Sequence, residues 1–375
     1  MAVALDDFPY HQAPVSMEFV ASSDRNFYDR YYFNAHDRTG DIFVISGLGI
    51  YPNLGVVDAF VTVRIGDRQH TVRFSDAHDG NREPRVGPYR IEVVEPLRTL
   101  RIVSDSDAHG VGVDLTWNGM FPVVDEAPHQ LRHDGRLILD AQRFAQVGTW
   151  SGEIRVEGRT ITVDPEKWIG TRDRSWGIRP VGEPEPAGRS AAEADPHYGF
   201  WWTYLPFGFD DFTVVVIAQE DGAGIRSLSD AVRVWGPGSD RGRELLGWPE
   251  FRYTYRPGSR DVQQVEVSLR DVDGSPMTMV CESLGYVALN SGPGYGGDPD
   301  WGHGQWRGRN WAEGVVADMT DPEVLGRLPF GVVDHVGRAV LTEASGATHE
   351  GWGLLEHGTI GAHAPTGFTD FFTVA

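Results

Sequence analysis

Segments in which apolar residues alternate with polar ones at a period of two, or run continuously, recur along the chain: Ala59–Ile65, His70–Phe74, Arg90–Val94, Leu100–Val103 and Val111–Trp117. A period of two puts successive side chains on opposite faces of an extended chain, so each segment is predicted as a β-strand. The connections carry Gly66-Asp67, Pro96 and Asp107 to Gly110. This turn chemistry allows hairpins and leaves no room for crossover helices, and the expected arrangement is an antiparallel meander. The second half repeats the texture at Asp211–Ala218, Phe251–Tyr255, Gln264–Leu269 and Met277–Val280, with Pro257-Gly258 and Asp273-Gly274 as hairpin turns. Residues 154–163 and 339–348 each read as a hairpin preceding a Gly-Trp-carboxylate cluster. That echo fits an internal duplication, and it also fits two unrelated hairpins. Pro180 to Pro196 is rich in Pro, Ala, Gly and Glu and lacks apolar periodicity. It is the expected linker between domains spanning 1–185 and 186–375. Closing each half into a barrel would remove exposed strand edges and enclose an apolar cavity.

Composition narrows the function classes. At 375 residues the chain exceeds the size at which one core keeps growing. A net charge of -21 repels phosphate backbones and anionic membrane surfaces, which argues against nucleic acid as a partner. Cys281 stands alone, so no intrachain disulfide forms, and the start Met1 to Asp7 has neither a basic segment nor a sustained apolar one. With no run of about 18 apolar residues to form a membrane span, the expectation is a soluble, cytoplasmic protein. Forty-six glycines, 23 prolines and 11% aromatics suit strands joined by tight turns better than a helical bundle.

Four stretches carry candidate chemistry. Gly170 to Arg179 packs three arginines, one carboxylate and an indole into ten residues. In an extended chain Asp173, Ser175 and Arg179 share one face, and Arg172, Arg174, Trp176 and Ile178 the other. Asp173 is then either the partner of an arginine elsewhere or a proton-holding acid in an apolar pocket. In Tyr198 to Phe207, alternation aims Phe200, Trp202 and Tyr204 to one side and Trp201 to the other, either as core or as the wall of a ligand cavity. In His349 to His357, Trp352, Leu354 and Glu356 share a face. Burial there would raise the pKa of Glu356, whereas a strand end would leave it in solvent. His349 and His357 lack the helical spacing of a zinc pair. Gly294 to Gly308 reads as a glycine-rich loop bearing Trp301, Trp306 and His303, with no strand-to-helix context for a dinucleotide. His303 is either structural or a proton shuttle. Cys281 reads as packing, no Gly-x-Ser-x-Gly elbow is present, and no metal or cofactor is expected.

Asp173-Arg174-Ser175-Trp176-Gly177, the aromatic run from Phe200 to Tyr204, and Gly351-Trp352-Gly353-Leu354-Leu355-Glu356 resemble, in that order, the carotenoid 1,2-hydratase superfamily and its AttH-like relatives. The hydratase pattern has His-Asn where this chain has Arg174-Ser175. The resemblance implies an all-β protein of two lipocalin-like antiparallel β-barrel domains with few short helices, and ligands that are long, apolar and often isoprenoid. It also implies that Asp173 protonates a carbon–carbon double bond, with aromatic faces such as Trp176, Trp202 and Tyr204 stabilising the cation. The expected function is a cofactor-independent hydratase or dehydratase-type lyase. Asp173 is its acid, Glu356 or His303 the partner for water, and Trp176, Trp202, Tyr204, Trp306 and Trp352 the substrate wall. Two other classes fit the same fold: a non-catalytic carrier of a hydrophobic ligand, and a pericyclic cyclase or isomerase.

Overall fold

The computed structural model describes residues 2, 4–80, 82–133, 135–181, 199–298 and 300–375. Apart from Pro180 and Val181, the expected linker and the 185/186 boundary lie outside the described residues. Among the described residues strands dominate, with one short α-helix at Pro322–Leu325 and a few single 3-10 turns. They form two antiparallel sheets of 14 and nine strands, each curled into a half-barrel.

In the first sheet, Phe27–His36, Ile42–Tyr51, Val56–Ile65 and Arg68–Ala77 run as a meander, and Tyr89–Glu95, Thr99–Ser104 and Val111–Gly119 as another. Ile169–Ile178 and the long Arg136–Val156 strand join them. The second sheet orders Arg226–Trp235, Phe212–Asp221, Gly199–Gly208, Thr348–Gly361, Val333–Glu343, Pro276–Ala288, Val262–Arg270 and Glu250–Tyr255 side by side. The turns at Pro257-Gly258 and Asp273-Gly274 connect neighbours in this row.

The central strands read as nearly continuous apolar runs because both of their faces are covered. Phe33 belongs to the core inside the first half-barrel with Leu48, Val61, Trp117 and Trp150, while its neighbour Tyr32 points the other way. Leu205 and Phe207 likewise enter the core of the second half-barrel with Val265, Met279 and Leu341, while Trp202 and Tyr204 point out of it. The outward sets meet each other: Tyr32, Ile45 and Phe60 of the first sheet pack with Trp202, Tyr204, Val215 and Leu354 of the second. Such buried aromatic and branched side chains each contribute about 1.5–3 kcal/mol. The sheets are therefore joined along an apolar seam, and polar groups packed into it lose much of their contact with water.

The second half also reaches across onto the first sheet. Trp311–Asp318 pairs with Arg68–Ala77, in register from Trp311 opposite Ser75 to Asp318 opposite Arg68. The glycine-rich loop before it is tied to the same sheet. Gln69 Nε2 donates to the carbonyls of Ala288 and Ser291 at 2.9 and 2.7 Å, and the Gly304 amide donates to Asp58 Oδ2 at 2.7 Å. Alternation within 311–318 gives no sign of which sheet it joins. No described helix is long and apolar enough to cross a membrane.

Candidate active site

The Ile169–Ile178 strand lies between Phe27–His36 and Arg136–Val156, and its register selects the side chains that share the face of Asp173. Asp173 stands opposite Tyr32 on one side and Ala145 on the other, and Ser175 opposite Arg30 and Arg143. Two of the strand's glycines are required by close approach. A Cβ on Gly170 would lie 1.9 Å from the carbonyl oxygen of Asn34, and one on Gly177, at φ +131°, would lie 2.0 Å from that of Asp140.

Across the seam, Glu356 stands opposite Tyr204 in one neighbouring strand and Asp334 in the other. Between the two faces is a cavity of about 280 Å³, near the lower end of the usual range for small-molecule sites. Arg30, Tyr32, Arg143, Asp173, Ser175 and Arg179 line it from the first sheet, and Phe200, Trp202, Gln219 and Glu356 from the second. His129, Leu289, Tyr295 and Val332 complete much of the wall.

Asp173 is partly open to this cavity and makes no ion pair or hydrogen bond among the described residues. Burial pushes its pKa up from 3.8 to about 7. Arg143 pulls the other way, while Glu126 and Glu356 add to the rise. Arg143 is largely occupied elsewhere, its Nε 2.7 Å from Glu126 Oε2. Asp173 therefore holds a proton near neutrality and faces open space with it.

The second carboxyl site is built differently. Glu356 accepts a hydrogen bond from Trp202 Nε1, and Tyr32 donates its hydroxyl to Asp334 Oδ2. Asp334 and Glu356 also hydrogen-bond each other, an interaction that favours neutral Asp334 and ionised Glu356. Burial raises both pKa values, that of Asp334 well above the ordinary range. Two carboxyls in contact do not readily ionise together, so the pair keeps a proton between them. His129 stacks on Trp202 with ring centroids 6.1 Å apart, and burial followed by Arg143 lowers its pKa to about 4, so its ring is neutral.

Of the residues expected from sequence, Asp173, Glu356 and Trp202 meet at the cavity. Tyr204 lies just behind it, buried with Arg143 and Glu126. Trp176 does not line the cavity. The alternation that turns Asp173 toward the seam turns Trp176 to the opposite face of the strand, where it is 38% exposed and meets Phe144 edge-on. Trp352 shares the face of Glu356 but lies four residues along the strand, roughly 13 Å away, packed against the Phe121, Val147 and Ile169 cluster. Trp306 is 52% exposed in a loop whose neighbours Gln305 and Arg307 bond Ser75. His303 is buried behind Tyr295, ring centroids 4.6 Å apart, with Nδ1 3.5 Å from Asp58 Oδ2. Burial lowers its pKa to about 4, which suits a neutral packing residue. Sequence reasoning missed Asp334, Tyr32, Arg143, Glu126 and His129. Strand parity around Asp173 and Glu356 would have found some of them once the pairing was known. No group of three or more His, Cys, Asp and Glu suited to a metal occurs among the described residues.

The model of a family of unknown function (DUF8625) matches residues 3–369. No curated protein matches. Among solved structures, kievitone hydratase from Nectria haematococca superposes with a TM-score of 0.50 at 13% identity, covering 88% of each chain. A protein described as AttH from Nitrosomonas europaea gives 0.51 at 11%, covering 93% of this chain and 98% of its own. CghA with Sch210972 gives 0.50 at 12%, covering 89% and 88%. At these identities the likeness shows the fold, which is the double lipocalin-like fold of AttH and carotenoid hydratase-like proteins.

Proposed function

The chain belongs to a family of unknown function (DUF8625), and from its cavity we propose that it is a cofactor-independent lyase of the hydratase or dehydratase type acting on an isoprenoid or lipid-like small molecule. The observation that carries this reading is the placement of two unlike carboxyl sites on one cavity between the sheets. Asp173 keeps a proton near pH 7, and Glu356 is held as the acceptor of Trp202 and Asp334. Kinship of fold with a kievitone hydratase agrees with the reading and does not carry it.

In the direction of hydration, the Asp173 carboxyl gives its proton to one carbon of an alkene, leaving a tertiary cation on the other. Water adds to that carbon while passing a proton to the Glu356 carboxylate, so a C–H and a C–O bond form and the π bond and one O–H bond break. Proton exchange with solvent returns Asp173 to its acid form and Glu356 to its base form. Dehydration is the same sequence reversed. The faces of Trp202 and Phe200, stacked 6.2 Å apart, offer π density to the cation. With Arg30, Arg143 and Arg179 on its wall the cavity is more polar than a hydrocarbon pocket. It suits a substrate with an apolar body and oxygen functions.

The test is a panel of prenylated phenols and terpenoid alkenes in isotopically labelled water, read by mass for gain of one water. Asp173→Asn should lower turnover by about 10²- to 10⁴-fold, the usual worth of a positioned acid, while circular dichroism shows a folded protein. Full turnover by the folded variant would remove Asp173 as the acid. Retention of an unchanged ligand with no turnover by the unsubstituted protein would favour a carrier.

A further inference from the structure

Three arginines line the cavity, Arg30, Arg143 and Arg179, and they are held differently. Arg143 has Glu126, but neither Arg30 nor Arg179 forms an ion pair among the described residues. Arg30 is only 4% exposed. Its Nη2 donates to the Tyr295 hydroxyl at 3.1 Å and its guanidinium lies over that ring, 5.0 Å from the centroid. Its Nη1 is buried and has no hydrogen-bond partner among the described residues. The Arg179 guanidinium lies over the Tyr28 ring at 5.5 Å. The buried Asp58 carboxylate acts on Arg30 from beyond ion-pair distance, so an anion brought to the guanidinium from the cavity would supply the direct partner that a buried cation favours. The chain as a whole carries a net charge of -21, which makes a cationic hollow the exception on this molecule.

We propose that the substrate carries an anionic oxygen, of which a carboxylate is the simplest case, and that Arg30 with Tyr295 receives it while the apolar body lies along Phe200 and Trp202. This rests on the lyase reading in that it names the substrate class of the same cavity. Tyr295 strengthens the seat. Burial pushes its pKa up to about 12, so its hydroxyl stays neutral, and while accepting from Arg30 it has its own hydrogen to give. The anion also acts on the acid. Arg30 is among the charges that pull the Asp173 pKa down. An anion seated against Arg30 offsets that pull and tightens the hold of Asp173 on its proton as the substrate arrives.

Geranic acid and its primary amide are matched in shape and differ in charge, and each is titrated calorimetrically into the full chain. The acid is expected to bind at least tenfold more tightly than the amide. Near pH 7.5, repeat titrations in buffers of different ionisation enthalpy should show proton uptake with the acid and none with the amide. Arg30→Met should bring the two affinities within about threefold, and Arg30→Lys should keep most of the preference. If Arg30→Met does not fold, the acid-to-amide ratio and the proton uptake of the unsubstituted chain decide. Equal affinity for acid and amide would overturn the anion inference and leave the cavity as a binding site. Binding of neither would overturn the inference and the lyase reading together.

Discussion

Asp173 and Glu356 occupy the same cavity and are raised by the same cause, burial, yet their surroundings assign them opposite tasks. Asp173 comes from a central strand of the first sheet and has no hydrogen-bond donor aimed at it among the described residues. Its neutral form is therefore favoured and its proton uncommitted. Glu356 comes from the second sheet and accepts from an indole N–H and a neighbouring carboxyl, which favours its charged form. Desolvation alone would make two equivalent acids. Hydrogen bonding to one of them is what makes an acid and a base.

The contrast breaks most visibly in stability. The folded-state pKa of Asp173, about 7, exceeds its ordinary value of 3.8, so the folded protein binds the extra proton between those values. Its contribution is fully present below pH 3.8 and is lost as pH rises through about 7. Asp173→Asn removes the cost of the ionised group. It is expected to raise stability against urea near pH 8 by on the order of 2 kcal/mol more than near pH 5. Glu356→Gln should show a smaller difference between the two pH values, because its hydrogen bonds already support the charged form. Equal pH dependence in the two variants would erase the distinction between the sites.

The smallest effect is expected at Trp176. Its ring lies on the strand face opposite Asp173, against Phe144, so Trp176→Phe should leave turnover within about twofold while Asp173→Asn does not. A large loss at Trp176 would mean that this second face of the strand also meets substrate.

These comparisons mark what the chain's pattern reveals and what it hides. Period-two and continuous apolar runs located strands such as Val56–Ile65 and Phe212–Asp221, and parity separated Asp173, Ser175 and Arg179 from Trp176. Parity is local, and one strand suffices to read it. The Phe27–His36 and Ile42–Tyr51 strands escaped it because Asp29, Arg30 and Asn34 interrupt the first run and Ser46, Gly47 and Gly49 the second. The partners of the acids escaped it too. Asp334, Tyr32 and Arg143 sit at ordinary strand positions and acquire a role only through register with Glu356 or Asp173. Trp352 was expected at the cavity because it shares the face of Glu356, and Trp306 because it is an indole in the glycine-rich loop. Distance along the strand in one case and a solvent-facing loop in the other place them elsewhere. The pairing of Trp311–Asp318 with the first sheet likewise depends on a partner more than 200 residues earlier.

The most direct measurement needs no substrate. Infrared difference spectroscopy of the carboxyl C=O stretch, comparing the unsubstituted protein with Asp173→Asn across pH, isolates the titration of this one side chain. A protonated band assigned to Asp173 that disappears with a midpoint near pH 7 is the predicted result. A midpoint at the ordinary value, near pH 3.8, would contradict the claim that the cavity holds an acid with a proton to give.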